Sequence, residues 1–245
     1  MTVKLQMLGT GDAFAKNYYN NNALLWSEDY TLLIDCGTTA PLALEKLGRS
    51  IGEVDAVLIT HIHSDHVAGL PELARLMKAK CGRKMTLFIA GNLAEPLWQS
   101  FQKNSPAAAQ TPASLAQAFE VRLLQAGVPY TLSPEITLEL IRTPHIRGKD
   151  SYSLLLGGDI FYSADMIFQP ELLLRLVRKQ GIRRIFHDCQ LTGPGVVHTA
   201  LDELLSLPAD IRGMISLMHY GDEKPEFEGK TAEMAFLEQH VIYPL

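Results

Sequence analysis

The stretch Leu58-Ile59-Thr60-His61-Ile62-His63-Ser64-Asp65-His66 puts four potential metal ligands, His61, His63, Asp65 and His66, within six residues. It follows the continuous apolar run Ala56 to Ile59, the pattern of a strand buried on both faces. It precedes Leu70, Leu73, Leu76 and Met77, which fall at helical spacing. The polar residues therefore occupy a strand end where the chain turns. On extended backbone His61 and His63 project to the same side, and Asp65 and His66 on the turn into the helix can converge on a neighbouring point. Imidazole with carboxylate suits zinc, with manganese and iron as close competitors.

Four residues do not complete two metal sites, so further ligands are expected at other strand ends. His145 follows the run Ile136 to Ile141, behind Thr143-Pro144. Asp165 follows Ile160 to Ser163, and His219 follows Met214 to Met218. A residue of this kind alone is more often a surface residue; together they supply what the first cluster lacks.

The elements that position these residues can be read from period and punctuation. Strands are expected at Val3 to Leu8, Ala23 to Trp26, Tyr30 to Ile34, Ala56 to Ile59, Met85 to Ala90, Val121 to Leu124, Ile136 to Ile141 and Ser151 to Leu156. They continue at Ile160 to Ser163, beyond a Gly157-Gly158 hairpin turn, and at Arg184 to His187 and Met214 to Met218. Helices are expected at Ala40 to Leu47, Gly69 to Lys80, Pro170 to Lys179 and Thr199 to Leu205. Gln102 to Ser114, poor in large apolar residues and carrying two prolines, reads as a linker or surface loop. Strands and helices mix in both halves, so the class is α/β or α+β with sheet inside and helices outside.

Composition narrows the partners. The 245 residues suit one fairly large domain, expected over 1–245, and the balance is globular rather than fibrous or disordered. A net charge of -5 argues against a protein whose main task is gripping a long nucleic acid, because that affinity comes mostly from Lys and Arg on phosphates. Three cysteines without metal-binding spacing read as reduced thiols in a cytosolic protein. No signal peptide pattern opens the chain and no apolar run approaches the roughly 18 residues that span a bilayer, so a soluble, cytoplasmic protein without membrane contact is expected.

The Thr-His-x-His-x-Asp-His stretch, with Asp35 in Leu33-Ile34-Asp35-Cys36-Gly37 before it and His145, Asp165 and His219 after it, resembles the metallo-β-lactamase superfamily over nearly the whole chain. The resemblance implies an αββα sandwich of two facing mixed sheets with helices outside. It implies that His61, His63 and His145 hold one divalent metal and that Asp65, His66 and His219 hold a second. Asp165 then bridges the two ions, and Asp35 supports the site from behind. Two zinc or manganese ions per chain activate water and offset charge on the attacking and departing oxygens, which suits phosphodiester hydrolysis.

Within that superfamily, Leu8-Gly9-Thr10-Gly11-Asp12, Leu58 to Leu70 with Pro71, and Val197-His198-Thr199 resemble the ribonuclease Z group. There an extra histidine can donate a proton to the leaving oxygen, a role His198 would fill, so His198, Asp65 and Asp35 form the expected catalytic set. That group's transfer-RNA-clamping arm lies between the ligands matching His145 and Asp165. Here the interval is 165 - 145 = 20 residues of strand, hairpin and strand, which leaves no room for an arm. The early cysteine cluster of the phosphoribosyl cyclic phosphodiesterases is also absent. The short uninterrupted length and the His187-Asp188-Cys189-Gln190 stretch ahead of His198 are most similar to cyclic nucleotide phosphodiesterases of the anti-Pycsar type, which implies cleavage of 3′,5′-cyclic nucleotides such as cyclic CMP and cyclic UMP to 5′-monophosphates. A ribonuclease Z-like endonuclease and a non-hydrolytic metal-binding regulator stay as alternatives. Tyr18, Tyr19 and Asn22, in a loop after the first strand, could stack on or read a base. His187, Asp188 and Thr199 could orient substrate or His198. Relatives imply a homodimer, with Gly69 to Lys80 a candidate contact and the 102–114 loop reaching a partner's site.

Overall fold

The computed structural model describes residues 3–104 and 112–245. The chain forms two compact units. Unit 1 comprises Met1–Gly9, Tyr19–Gln125 and Gln239–Leu245; unit 2 comprises Thr10–Tyr18 and Ala126–Glu238.

Unit 1 is built on a seven-stranded mixed sheet. Its strands are β1 (Lys4–Gly9), β2 (Asn22–Trp26), β3 (Thr31–Ile34), β4 (Ala56–Ile59), β5 (Met85–Ala90), β6 (Phe119–Leu124) and, from the chain's end, a strand at Ile242–Pro244 paired to β1. From β3 to β6 the strands run parallel. Every residue of β4 is buried, as its unbroken apolar run requires. The helices are α1 (Ala40–Lys46), α2 (Ser64–Val67), α3 (Leu70–Cys81), α4 (Ala94–Asn104) and α5 (Leu115–Ala118). Helix α3 buries Leu70, Leu73 and Met77 on one face and ends on Gly82, whose φ of 67° no β-carbon opposes.

Helix α4 runs through Gln102 and Lys103, where the composition suggests a loop. Leu97 and Phe101, four residues apart and buried, anchor it to the core. Residues 105–111, the middle of the 102–114 segment, lie outside the described residues. The basic cluster after α3 is partly committed to structure: an Arg83 guanidinium nitrogen donates to Val54 O at 3.0 Å, and Lys84 Nζ to Ala116 O at 2.7 Å.

Unit 2 carries a second seven-stranded mixed sheet. Its strands are β7 (Pro129–Thr131), β8 (Thr137–Thr143), β9 (Ser151–Leu156), β10 (Ile160–Tyr162), β11 (Arg184–Asp188), β12 (Ile215–Met218) and β13 (Ala235–Phe236), in register order, and the strand at Ile242–Pro244 is β14. Gly157 and Gly158, at φ 61° and 83°, turn β9 into β10 as the double glycine predicts. Strands β10, β11 and β12 are parallel, and two antiparallel steps through β9 give β8 the same direction. The carboxyl ends of β8, β10, β11 and β12 therefore lie along one edge of this sheet. Helices α6 (Pro170–Gln180), α7 (Leu201–Leu205), α8 (Ala209–Arg212) and α9 (Lys224–Phe227) complete the unit, with Leu173, Leu176, Leu204 and Ile211 in its core. Two mixed sheets with helices match the expected class. Among the described residues no helix is long and apolar enough to cross a membrane.

Candidate metal centre

Each unit gathers histidines and aspartates at the carboxyl ends of its parallel strands, where open α/β sheets place their ligands. In unit 1, Ile34 of β3 stands opposite Leu58 of β4, so Asp35 and the Thr60 to His66 stretch leave the sheet together. Asp35 N donates to Leu58 O at 2.8 Å, and the chain then turns through a left-handed φ of 59°. Such a conformation costs about 1–2 kcal/mol for most residues and is eased for Asp.

The turn aims the Asp35 carboxylate at three donors. Oδ1 accepts from Thr60 N at 2.8 Å, and Oδ2 accepts from Thr60 Oγ1 at 2.7 Å and from His66 Nδ1 at 2.8 Å. With its hydroxyl proton given to Asp35, Thr60 Oγ1 accepts from His61 Nδ1, 3.1 Å away. His61 and His66 thus keep their protons on Nδ1 and turn Nε2 to the other side, the arrangement that metal-ligating histidines use. There His61 Nε2 is 3.0 Å from His63 Nδ1, and His66 Nε2 is 3.2 Å from Asp65 Oδ2. All but His63 are buried.

In unit 2, His145 Nδ1 donates to Val197 O at 2.5 Å, which leaves its Nε2 3.7 Å from Asp165 Oδ2. The same Oδ2 lies 3.4 Å from His219 Nε2 and 3.8 Å from His198 Nδ1. Ala164 and His219 both take left-handed φ, 49° and 58°, so the chain accepts strain at the two strand ends that aim this cluster. The His198 ring stacks on His219 with centroids 4.7 Å apart and lies 4.9 Å from His145. Gln190 N donates to Thr199 O and Leu201 N to Gln190 O, clipping the His198 segment to the end of β11.

Behind His198 stands Asp188, fully buried, with Oδ2 3.1 Å from His198 Nδ1. Burial pushes its carboxyl up, but hydrogen bonds and charge from His187 and His198 outweigh that and hold it below its ordinary value. In both units imidazole nitrogens and carboxylate oxygens stand close together in buried surroundings. That donor chemistry fits divalent metal ions.

The residues expected to meet substrate have these surroundings. Asn22 is fully buried; its Oδ1 accepts from Gly37 N at 2.9 Å and its Nδ2 donates to Asn21 O at 2.8 Å, so it braces the turn beside Asp65. Thr199 is fully buried and donates to Met166 O at 3.0 Å. His187 and Asp188 are likewise fully buried, and Asp188 meets His198, one of the two roles expected of it. Tyr18 is half-buried with its ring edge on Tyr220, and Tyr19 is half-buried with its ring 5.7 Å from His240. Two supports escape the residue pattern. The Thr60 hydroxyl lay inside the motif and could have been suspected, whereas the Val197 carbonyl is backbone and carries no sequence signal.

With this geometry in hand, comparison with known proteins is specific. The family model described as Anti-Pycsar protein Apyc1 matches residues 3–243. Anti-Pycsar protein Apyc1 of Paenibacillus sp. (strain J14) is 59% identical over 245 residues, covering 100% of both chains. Among solved structures, the metallo-β-lactamase fold protein YhfI of Bacillus subtilis superposes with a TM-score of 0.76 at 20% identity over 100% of both chains. A diphosphatase from the PhnP family gives a TM-score of 0.80 at 16% identity, over 99% of this chain and 98% of that one. The fold is that of the metallo-β-lactamases.

Proposed function

The chain belongs to the Anti-Pycsar Apyc1 family, and on that premise we propose that it is a metal-dependent phosphodiesterase that opens 3′,5′-cyclic nucleotides to 5′-monophosphates and so counters Pycsar signalling. The observation that carries the reading is the oriented proton donor: His198 held at Nδ1 by a buried aspartate, beside histidines and an aspartate suited to a metal.

His61, His63 and His145 would hold one divalent ion, Asp65, His66 and His219 a second, with Asp165 shared between them. Bound there, zinc or manganese would supply Lewis-acid chemistry and lower the pKa of water. The protein's own residues do the rest. Asp35, through Thr60 and directly, keeps His61 and His66 in the tautomer that offers Nε2. Asp188 holds His198 by Nδ1, so that when the ring carries two protons the second sits on Nε2, ready to be given. As water oxygen bonds to phosphorus and the bond from phosphorus to O3′ breaks, His198 Nε2 delivers that proton to O3′. A cytoplasmic homodimer acting on this small molecule, without membrane or long nucleic acid, completes the proposal. The β9–β10 hairpin that fills the interval between His145 and Asp165 supports a small substrate over a clamped RNA.

The test is incubation of the zinc- or manganese-loaded protein with a panel of 3′,5′-cyclic nucleotides beside a precursor tRNA, with chromatography of products. Conversion of cyclic nucleotides to 5′-monophosphates is expected, and His198→Ala should lower kcat by about 10²- to 10⁴-fold with metal retained. Cleavage of the RNA alone would overturn the reading.

A further inference from the structure

His187 belongs to neither His/Asp group, yet its placement is specific. It is fully buried near the end of β11. Its Nδ1 lies 2.8 Å from the Asp188 carbonyl oxygen and 3.1 Å from Asp188 Oδ1. Two acceptors on one side require the proton on Nδ1. The other nitrogen, Nε2, is buried without a hydrogen-bond partner among the described residues, an unfavourable state relative to water. An apolar side chain of similar volume would avoid that cost, so what histidine alone supplies here is the Nδ1–H.

Among the described residues the Asp188 carboxylate has two close side-chain partners, one on each oxygen: His187 at Oδ1 and His198 at Oδ2, both at 3.1 Å. Its remaining contacts are longer, 3.4 Å from Ser163 Oγ to Oδ1 and 3.3 Å from Met166 N to Oδ2. Resting on the phosphodiesterase reading above, we propose that His187 is a positioning residue for the proton donor: by fixing Oδ1 it sets the carboxylate plane, and the carboxylate plane sets the direction of His198 Nε2. The ring does not touch substrate and exchanges no proton in turnover; it removes a rotation that would let His198 swing.

A merely structural role would lower all activities alike, whereas a role in proton delivery depends on the leaving group. The test uses the full metal-loaded chain with two substrates. A 3′,5′-cyclic nucleotide expels a poor alkoxide that needs the proton; bis(p-nitrophenyl) phosphate expels nitrophenolate, which does not. His187→Leu should lower kcat on the cyclic nucleotide by about 10- to 100-fold, with KM and aryl-diester turnover within about twofold of the parent. His187→Asn, whose amide N–H can reach the Nδ1 position, should recover most of the loss. Metal content and thermal melting check that each variant is folded. If the leucine variant melts early, His187→Gln, which lacks a donor at that position, carries the same expectation. Equal losses on both substrates, no loss on either, or an asparagine variant no better than leucine would each overturn the assignment. A parent protein that turns over the aryl diester but no cyclic nucleotide would instead sink the substrate reading, and this inference with it.

Discussion

Asp35 Oδ2 and His66 Nδ1 stand 2.8 Å apart with both side chains buried, and the aspartate reaches that position only by adopting a left-handed φ of 59°. A strained residue that accepts hydrogen bonds from Thr60 and His66 at once is a device for fixing imidazole direction.

Replacing Asp35 by Asn keeps a side chain that tolerates this backbone but substitutes a donor for one of the two acceptor oxygens. Three donors then share one oxygen. Zinc affinity should fall about 10- to 100-fold, as seen by competition with a chromophoric chelator, while the protein stays folded. Unchanged affinity would show that Asp35 does not orient the ligands.

Gly37 admits no side chain. A β-carbon there would lie 1.9 Å from the Asp65 carbonyl oxygen and 2.6 Å from its carbon, both backbone atoms that cannot swing aside. Gly37→Ala should destabilise by about 1–3 kcal/mol and displace the turn bearing Asp65 and His66. Urea unfolding and metal content after gel filtration check this. Gly48→Ala, where open space surrounds the new carbon, should retain metal and lose only the ease of its positive φ.

Chelation gives a third expectation. Ions that bind the folded chain at a hundred times their Kd stabilise it by about 2.7 kcal/mol, or about 5–10 °C for a chain of this size. Differential scanning fluorimetry with EDTA, then with zinc restored, should show that drop and recovery. His63→Ala and His219→Ala should each shrink the zinc-dependent shift.

The thiols differ sharply. Burial, then the neighbouring carboxylates Asp35 and Asp188, pushes Cys36 and Cys189 well above their ordinary range, while Cys81 is part exposed. At pH 8 one thiol should react quickly with Ellman's reagent and two only after denaturation. Because both folded values are raised, their contribution to stability is whole below the unfolded thiol pKa of about 8.5 and is lost as pH rises beyond it, by up to about 1.4 kcal/mol per unit for each thiol. Urea midpoints at pH 7.5 and 9.5 should fall accordingly, and a midpoint that rises would refute the burial argument.

What can be read from residue types and short-range period was legible without coordinates. The candidate metal-ligand types, their place at strand ends and strands such as Ala56–Ile59, Met85–Ala90 and Ser151–Leu156 are local properties, because burial on both faces demands an unbroken apolar run and a ligand must carry nitrogen, oxygen or sulfur. The short strands at Pro129–Thr131, Ala235–Phe236 and Ile242–Pro244 were not, since pairs and threes of residues carry no period; nor was helix α4, whose buried face rests on Leu97 and Phe101. Tertiary structure alone decided which polar residues serve as supports. Asn22 and Thr199 have side chains committed to backbone atoms 15 and 33 residues away, which no residue type announces. His145 takes its tautomer from a carbonyl 52 residues on, and His187 gains its meaning from the carboxylate it holds. A backbone acceptor has no side-chain signature, and a hydrogen bond across such separations exists only once the strands have set their ends side by side.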